Sequence, residues 1–198
     1  MSLFRTEQAD VSNTNDNRDV LIRRARPEDA LDVAHVHVRS WQSAYAGLLP
    51  EEFLVGLDPA RRAAHYTFGV DRTDRPYTVV AEEQGQILGF ATAGPTWNAD
   101  ARGAGELFGL YVDPDHWRQR CGTLLMSEAR ARLARLGFAE AVLWVLVGNS
   151  RAESFYGANG WARDGTERED DIGPGWRAAS TATCEIPVLH EVRYRTRL

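Results

Sequence analysis

The chain contains no lysine. All 23 of its basic residues are arginine, a usage that fits a GC-rich genome and makes every long side-chain cation a guanidinium. Cysteine is scarce as well. Two cysteines in 198 residues, Cys121 and Cys184, cannot form the framework of a disulfide-stapled secreted domain. No apolar stretch approaches the ~20 residues that a bilayer-spanning helix needs, and the N-terminus lacks an apolar signal core. A cytoplasmic protein with no membrane segment is the default expectation. The net charge is −5, which argues against a partner bound through its phosphate backbone, so no nucleic acid is expected. No internal repeat is visible. Metal-ligand spacing is missing too: His35 and His37 stand two apart on different helix faces, and no Cys/His spacing reads as zinc, so no metal is expected. What is present, with 43% hydrophobic residues, is enough to bury a full core as one domain.

Residues 1–19, with SNTNDNRD at their centre, are polar and aperiodic, and a disordered tail is expected there before a single domain over 20–198. Val20 to Arg23 reads as a strand. Pro27-Glu28-Asp29 starts a helix, with proline where its missing N–H is harmless and two acids on the positive end of the dipole. The apolar set Ala30, Val33, Ala34, Val38, Trp41 and Tyr45 carries that helix to about Ala46, before Gly47. A second helical region spans Pro50 to Phe68 with a break at Asp58-Pro59. Tyr77 to Ala81 and Ile87 to Ala93 flank Glu-Glu-Gln-Gly-Gln, a hairpin signal. Ala141 to Val147 is a continuous apolar strand. Ser150 and Glu153 fit a capping box for a short helix that stops at Asn159-Gly160. Trp161 to Arg163 and Val188 to Arg195 supply the last strands, and Glu167 to Ala182 reads as a long loop. The order β, α, α, β, β, β, α, β, α, β, β predicts a mixed α/β sheet of about six or seven mostly antiparallel strands with helices on both faces.

The stretch Gly105 to Phe138 organises this order. An apolar strand ending at Val112 breaks at Asp113-Pro114, and a loop with two arginines then leads into a helix whose apolar positions are Leu125, Met126, Ala129, Leu133 and Leu136. Strand, polar loop and helix start together make an anion site. The first N–H groups of a helix have no internal partner, and the dipole favours negative charge there.

These residues resemble the GNAT superfamily of acetyl-CoA-dependent N-acetyltransferases over roughly Val20 to Arg195. In that family a strand ending V-x-P precedes a loop of the form Q/R-x-x-G-x-G/A and a helix. Here Val112-Asp113-Pro114 is intact and the loop aligns as Trp117-Arg118-Gln119-Arg120-Cys121-Gly122, in which the final glycine matches and Arg120 stands where the first glycine is expected, with Arg118 two residues before it. A register that starts at Gln119 lengthens the loop by two residues and puts Leu124 at the small position, so the first is preferred. A second motif is Asn149-x-x-Ala152-x-x-Phe155-Tyr156 followed by Asn159-Gly160-Trp161.

The resemblance implies an acetyl-CoA co-substrate. Its pantetheine arm would lie along Leu110, Tyr111 and Val112, hydrogen-bonded to main chain. Its phosphates would lie over Trp117, Arg118, Gln119, Arg120, Cys121, Gly122 and Thr123, and Asn149 would contact the arm or the catalytic tyrosine. Tyr156 would donate a proton to the departing thiolate. Glu106, eleven residues before Trp117, has the spacing of the general base of those members that use one, and a solvated strand-end acid is the other reading. Trp41 and Tyr45, four apart on one helix face, border the acceptor site or belong to the core. Cys121 fills a small apolar site, with no base beside it. The implied reaction moves an acetyl group to a primary amine of a small molecule or peptide by direct attack in a ternary complex. The rival readings are another acyl-CoA donor, a CoA-binding sensor or inactive partner protein, and a nucleotide-phosphate binder of another family. Homodimers are common in the family.

Overall fold

In the computed structural model, which describes residues 20–69, 74–184 and 186–198, seven strands form one sheet. They are β1 (Leu21–Arg24), β2 (Tyr77–Glu83), β3 (Gln86–Pro95), β4 (Gly105–Val112), β5 (Glu140–Leu146), β6 (Ala162–Asp171) and β7 (Val188–Arg197). Their spatial order is β1-β2-β3-β4-β5-β7-β6, antiparallel throughout except for the parallel pair β4–β5. The expected mixed, mostly antiparallel sheet is therefore present. The disorder expected of residues 1–19 lies outside the described residues.

The helices are α1 (Ala30–Ala44), α2 (Glu51–Val55), α3 (Pro59–Ala63), α4 (Cys121–Arg135), α5 (Ser150–Ala158) and α6 (Pro174–Ala179). Strand alternation divides the core between α1 and α4. Val80, Ile87 and Phe90 point to one face, where α1 buries Val33 and Val36. Val79, Ala81, Leu88 and Ala91 point to the other, where α4 buries Leu125, Met126, Ala129 and Leu133. Leu125 and Leu133 are essentially inaccessible, so truncating either to alanine should cost about 2–5 kcal/mol. The β2–β3 hairpin closes as its sequence predicts. Gln84 and Gly85 hold φ of 51° and 83°, the double left-handed turn that matches strand twist.

Four expectations are corrected. The stretch 167–182 is not a long loop: β6 runs on to Asp171 and α6 follows. Helix α1 ends at Ala44 rather than Ala46. The helical region 50–68 breaks at Asp58-Pro59 as expected, with Asp58 capping α3 by accepting from the N–H groups of Ala60 and Arg61, but its second helix stops at Ala63, short of Phe68. Ser150 is not a cap. The residue before it, Asn149, accepts from the Ala152 N–H at 3.2 Å and starts α5.

Candidate active site

Strands β4 and β5 pair only at Gly105↔Ala141 and Glu106↔Val142. The cause lies in β4. Its register with β3 steps from Ala93↔Leu107 to Thr92↔Gly109, leaving Phe108 as an extra residue, and such a bulge bends a strand and re-aims its side chains. Beyond it, β4 diverges from β5 and a cavity of about 570 Å³ opens in the gap. The cavity passes through the sheet. Its lining includes Gly122, Ala152, Phe155 and Tyr156 from the side of α4 and α5, and Trp41, Tyr45, Glu106, Phe108, Tyr111 and Trp144 from the side of α1.

The backbone of β4 is turned to use this gap. Asp113 N–H donates to the Leu88 carbonyl of β3, whereas the Val112 carbonyl accepts from Ser40 Oγ at 2.9 Å and from the Trp117 indole at 2.8 Å. Val112 and, by alternation, Leu110 thus direct their backbone groups away from β3 and toward the gap. Tyr111, between them, pairs its backbone with Phe90 and contributes its side chain to the face of α1.

On the face of α4 the cavity ends at a helix start. The first helical bond is Leu124 N–H to Arg120 O, which leaves the amides of Cys121, Gly122 and Thr123 without an intrahelical acceptor. Arg118 and Arg120 hold φ of 62° and 66°. The loop has kept the left-handed backbone of a glycine loop with arginine in it, at a cost of about 1–2 kcal/mol for each residue. Salt links fix the loop to α1, Arg39 reaching Asp113 at 3.1 Å and Asp115 at 2.7 Å. Gly122 packs on Phe155: a Cβ there would sit 3.4 Å from its ring, at ordinary contact. Arg151, at the first turn of α5, lies over the Trp117 ring with its guanidinium carbon 3.4 Å from the centroid, so a third arginine joins the wall.

Tyr156 is 8% exposed, packed beside Trp161 and Tyr194, and its hydroxyl has no hydrogen-bond partner among the described residues. Burial raises its pKa, so the phenol keeps its proton at neutral pH. On the other face Glu106 is 5% exposed and is not a solvated strand-end acid. Its Oε2 accepts from Thr96 Oγ at 2.7 Å and from Asn98 Nδ2 at 3.0 Å, yet burial outweighs these bonds and raises its pKa. Arg168 and Glu191 stand beyond it in the same cavity. Arg168 donates to Glu191 Oε2 from Nε at 2.8 Å, and its guanidinium lies 4.1 Å over the Trp144 ring. Burial raises Glu191 as well.

Of the residues expected at the site, Trp41, Tyr45, Glu106, Leu110, Tyr111, Val112, Trp117, Arg118, Arg120, Gly122, Thr123, Asn149 and Tyr156 all line this cavity. Two do not. Gln119 turns back to donate to the Asp115 carbonyl at 3.1 Å, and the Cys121 side chain is buried in the core beneath the loop. Burial pushes the Cys121 thiol up to about 12, which leaves it no nucleophilic thiolate at neutral pH. The contributions of Ser40, Arg151, Arg168 and Glu191 were not foreseen. Among the described residues no group of three or more His, Cys, Asp and Glu could hold a metal, and no helix is long and apolar enough to cross a membrane.

A parallel pair that splays at a bulge, with a helix start on one face of the opening and a buried carboxyl on the other, defines a cleft reached from both faces of the sheet. The chain belongs to the acetyltransferase (GNAT) family, whose pattern it matches over residues 38–161. It is an N-acetyltransferase, similar to several proteins of that activity. An uncharacterised N-acetyltransferase of Bacillus subtilis is 29% identical over 163 residues, covering 79% of this chain and 92% of the relative. The spermidine N(1)-acetyltransferase of Thermoplasma acidophilum is 26% identical over 155 residues, covering 76% and 93%. Among solved structures, the PaiA N-acetyltransferase of Thermoplasma acidophilum in complex with coenzyme A shares the fold, with a TM-score of 0.63, 19% identity and coverage of 91% and 99%.

Proposed function

We propose that this protein moves an acetyl group from acetyl-CoA to a primary amine of a small molecule or peptide, by direct attack within one ternary complex. The observation that carries this reading is the single cavity through the sheet, with arginines and open helix amides on one face, the Glu106 carboxyl on the other and the Tyr156 phenol in the same wall. The residues fit coenzyme A. Three free amides and Arg118, Arg120 and Arg151 suit its phosphates, and the gap-facing backbone of Leu110 and Val112 can pair with an extended pantetheine arm as an added strand would. Bound there, acetyl-CoA supplies the acetyl thioester.

Glu106, directly or through a water, takes a proton from the acceptor ammonium and frees the nitrogen lone pair for attack. Its raised pKa makes it a better base than an exposed carboxylate. The Val112 N–H faces the position of the thioester oxygen and stabilises negative charge that develops there. As the C–N bond forms and the C–S bond breaks, Tyr156 gives its proton to sulfur, the second proton shed by the attacking nitrogen restores the phenol through water, and the proton held by Glu106 passes to solvent. The same dry surroundings that raise the phenol pKa keep the departing thiolate basic enough to receive it. Overall an ammonium and a thioester become an amide, a thiol and one proton. Two free cysteines agree with a reducing, cytoplasmic setting.

The test is free-thiol release from acetyl-CoA across a panel of amines and peptide N-termini, with wild type and Tyr156→Phe. Wild type should turn over at least one acceptor, and the variant, which keeps the packed ring, should lose about 100-fold or more in kcat. Unchanged turnover in Tyr156→Phe would remove the acid role.

A further inference from the structure

Resting on the acetyl-transfer reading, we infer that the acceptor is a primary amine with one positive charge and an apolar or aromatic body, and that Glu191 receives its ammonium group. The charges on the α1 face of the cavity lead to this. Three arginines that line the cavity, Arg118, Arg120 and Arg151, belong to the loop and helix starts on the coenzyme side. The acceptor side has two carboxylates, Glu106 and Glu191, against one guanidinium, Arg168. One negative charge is left over when both acids are ionised, and Arg168 also shares itself with Asp170 at 3.2 Å.

Glu191 is held in a fixed place for this role. It faces Arg168 directly across the β6–β7 ladder and Leu146 across β5–β7, and both nitrogens of the Arg168 fork approach the same oxygen, Oε2, at 2.8 and 2.7 Å. That leaves Oε1 for another donor.

The remaining walls define the body of the acceptor. Trp41, Tyr45, Phe108, Tyr111, Leu146 and Leu189 are aromatic or aliphatic, and burial keeps both tyrosines neutral. Trp144 already carries a cation on its face, so aromatic surface here tolerates positive charge. A second ammonium, as in a polyamine, would have to leave the cavity for the surface acids Glu167 and Glu169 of β6 to find its counter-charge. A carboxylate beside the amine, as in an amino acid, would meet Glu106 and Glu191. Glu191 is a specificity residue in this scheme, and proton removal stays with Glu106.

The experiment measures thiol release with 2-phenylethylamine, spermidine and phenylalanine, for wild type, Glu191→Gln and Glu191→Asp. Wild type should prefer 2-phenylethylamine by about tenfold or more in kcat/KM, the scale of one charge-assisted hydrogen bond. Glu191→Gln should raise the KM for that amine about tenfold while kcat and the KM for acetyl-CoA change little. Glu191→Asp keeps the charge and should restore part of the loss, which separates the effect from a merely damaged fold. Preference for spermidine or phenylalanine, or an unchanged KM in Glu191→Gln, overturns this inference and leaves acetyl transfer standing. No thiol release with any amine overturns the acetyl-transfer reading and this inference with it.

Discussion

Glu106 has been taken out of water with neutral donors on its carboxyl, the Thr96 and Asn98 side chains and the Trp97 backbone N–H, and a shared arginine at a distance. Burial is the largest influence and raises its pKa, which has a consequence for stability as well as for catalysis. Between the ordinary carboxylate range and the raised folded value, the folded state binds a proton that the unfolded chain has lost. Stability therefore falls as pH rises through that window and does not recover above it. Glu106→Gln, neutral at every pH and still able to accept from Thr96 and Asn98, should melt higher than wild type at pH 8 and lose this advantage below the carboxylate range. Its kcat should fall about 100-fold or more. Melting curves at the two pH values check the first part. A variant less stable than wild type at pH 8 would show that Glu106 is better compensated than its surroundings imply.

Helix α4 depends on one glycine that it does not contain. Gly89 lies on β3 beneath the first turn of α4, and a Cβ there would stand 2.7 Å from the Tyr111 carbonyl oxygen, 3.1 Å from Leu125 and 3.2 Å from Cys121 Sγ. The backbone oxygen cannot yield without moving β4, the strand whose amides face the gap. Gly89→Ala should cost about 1–3 kcal/mol, a loss of several degrees in Tm, and should raise the KM for acetyl-CoA because the loop and helix start move with α4. An unchanged Tm would mean that β3 and α4 separate more easily than their packing implies. Gly89 was invisible as a constraint in the sequence, since its importance is a close approach across the sheet and not a turn. The strand–loop–helix around Val112 and Gly122 was legible because apolar periodicity changes from strand to helix within one stretch. Strand β6 was not. As an edge strand of sequence ARDGTEREDD it buries no face, and its ladder slips between Arg163 and Glu167 around Gly165 at φ 87°, so no alternation survives to be read. Arg168 and Glu191 were missed with it, because they become neighbours only through the register of β6 on β7.

At the scale of the whole molecule, the proposed reading separates two jobs by the thickness of one sheet: the coenzyme's phosphates would meet the arginines and open amides that line the cavity on the side of α4, and the acceptor would meet the buried carboxyls and aromatic rings on the side of α1. A ligand that spans this opening touches β4, β5, α1, α4 and α5, the elements that hold the two core faces together, so binding should stabilise the fold as one unit. With ligand at about 100 times its Kd the gain is about 2.7 kcal/mol, or several degrees in Tm for a chain of this length. Acetyl-CoA and free CoA should produce such shifts in a thermal melt. ATP offers phosphates to the same arginines but has no arm to pair with Leu110 and Val112, so its shift should be smaller at equal concentration. Raising the salt should shrink the part of each shift that comes from phosphate contacts and leave the part that comes from the arm, so the difference between CoA and ATP should persist at high ionic strength. Equal or larger stabilisation by ATP would make this cleft a nucleotide-phosphate site, with the open edge of β4 unused.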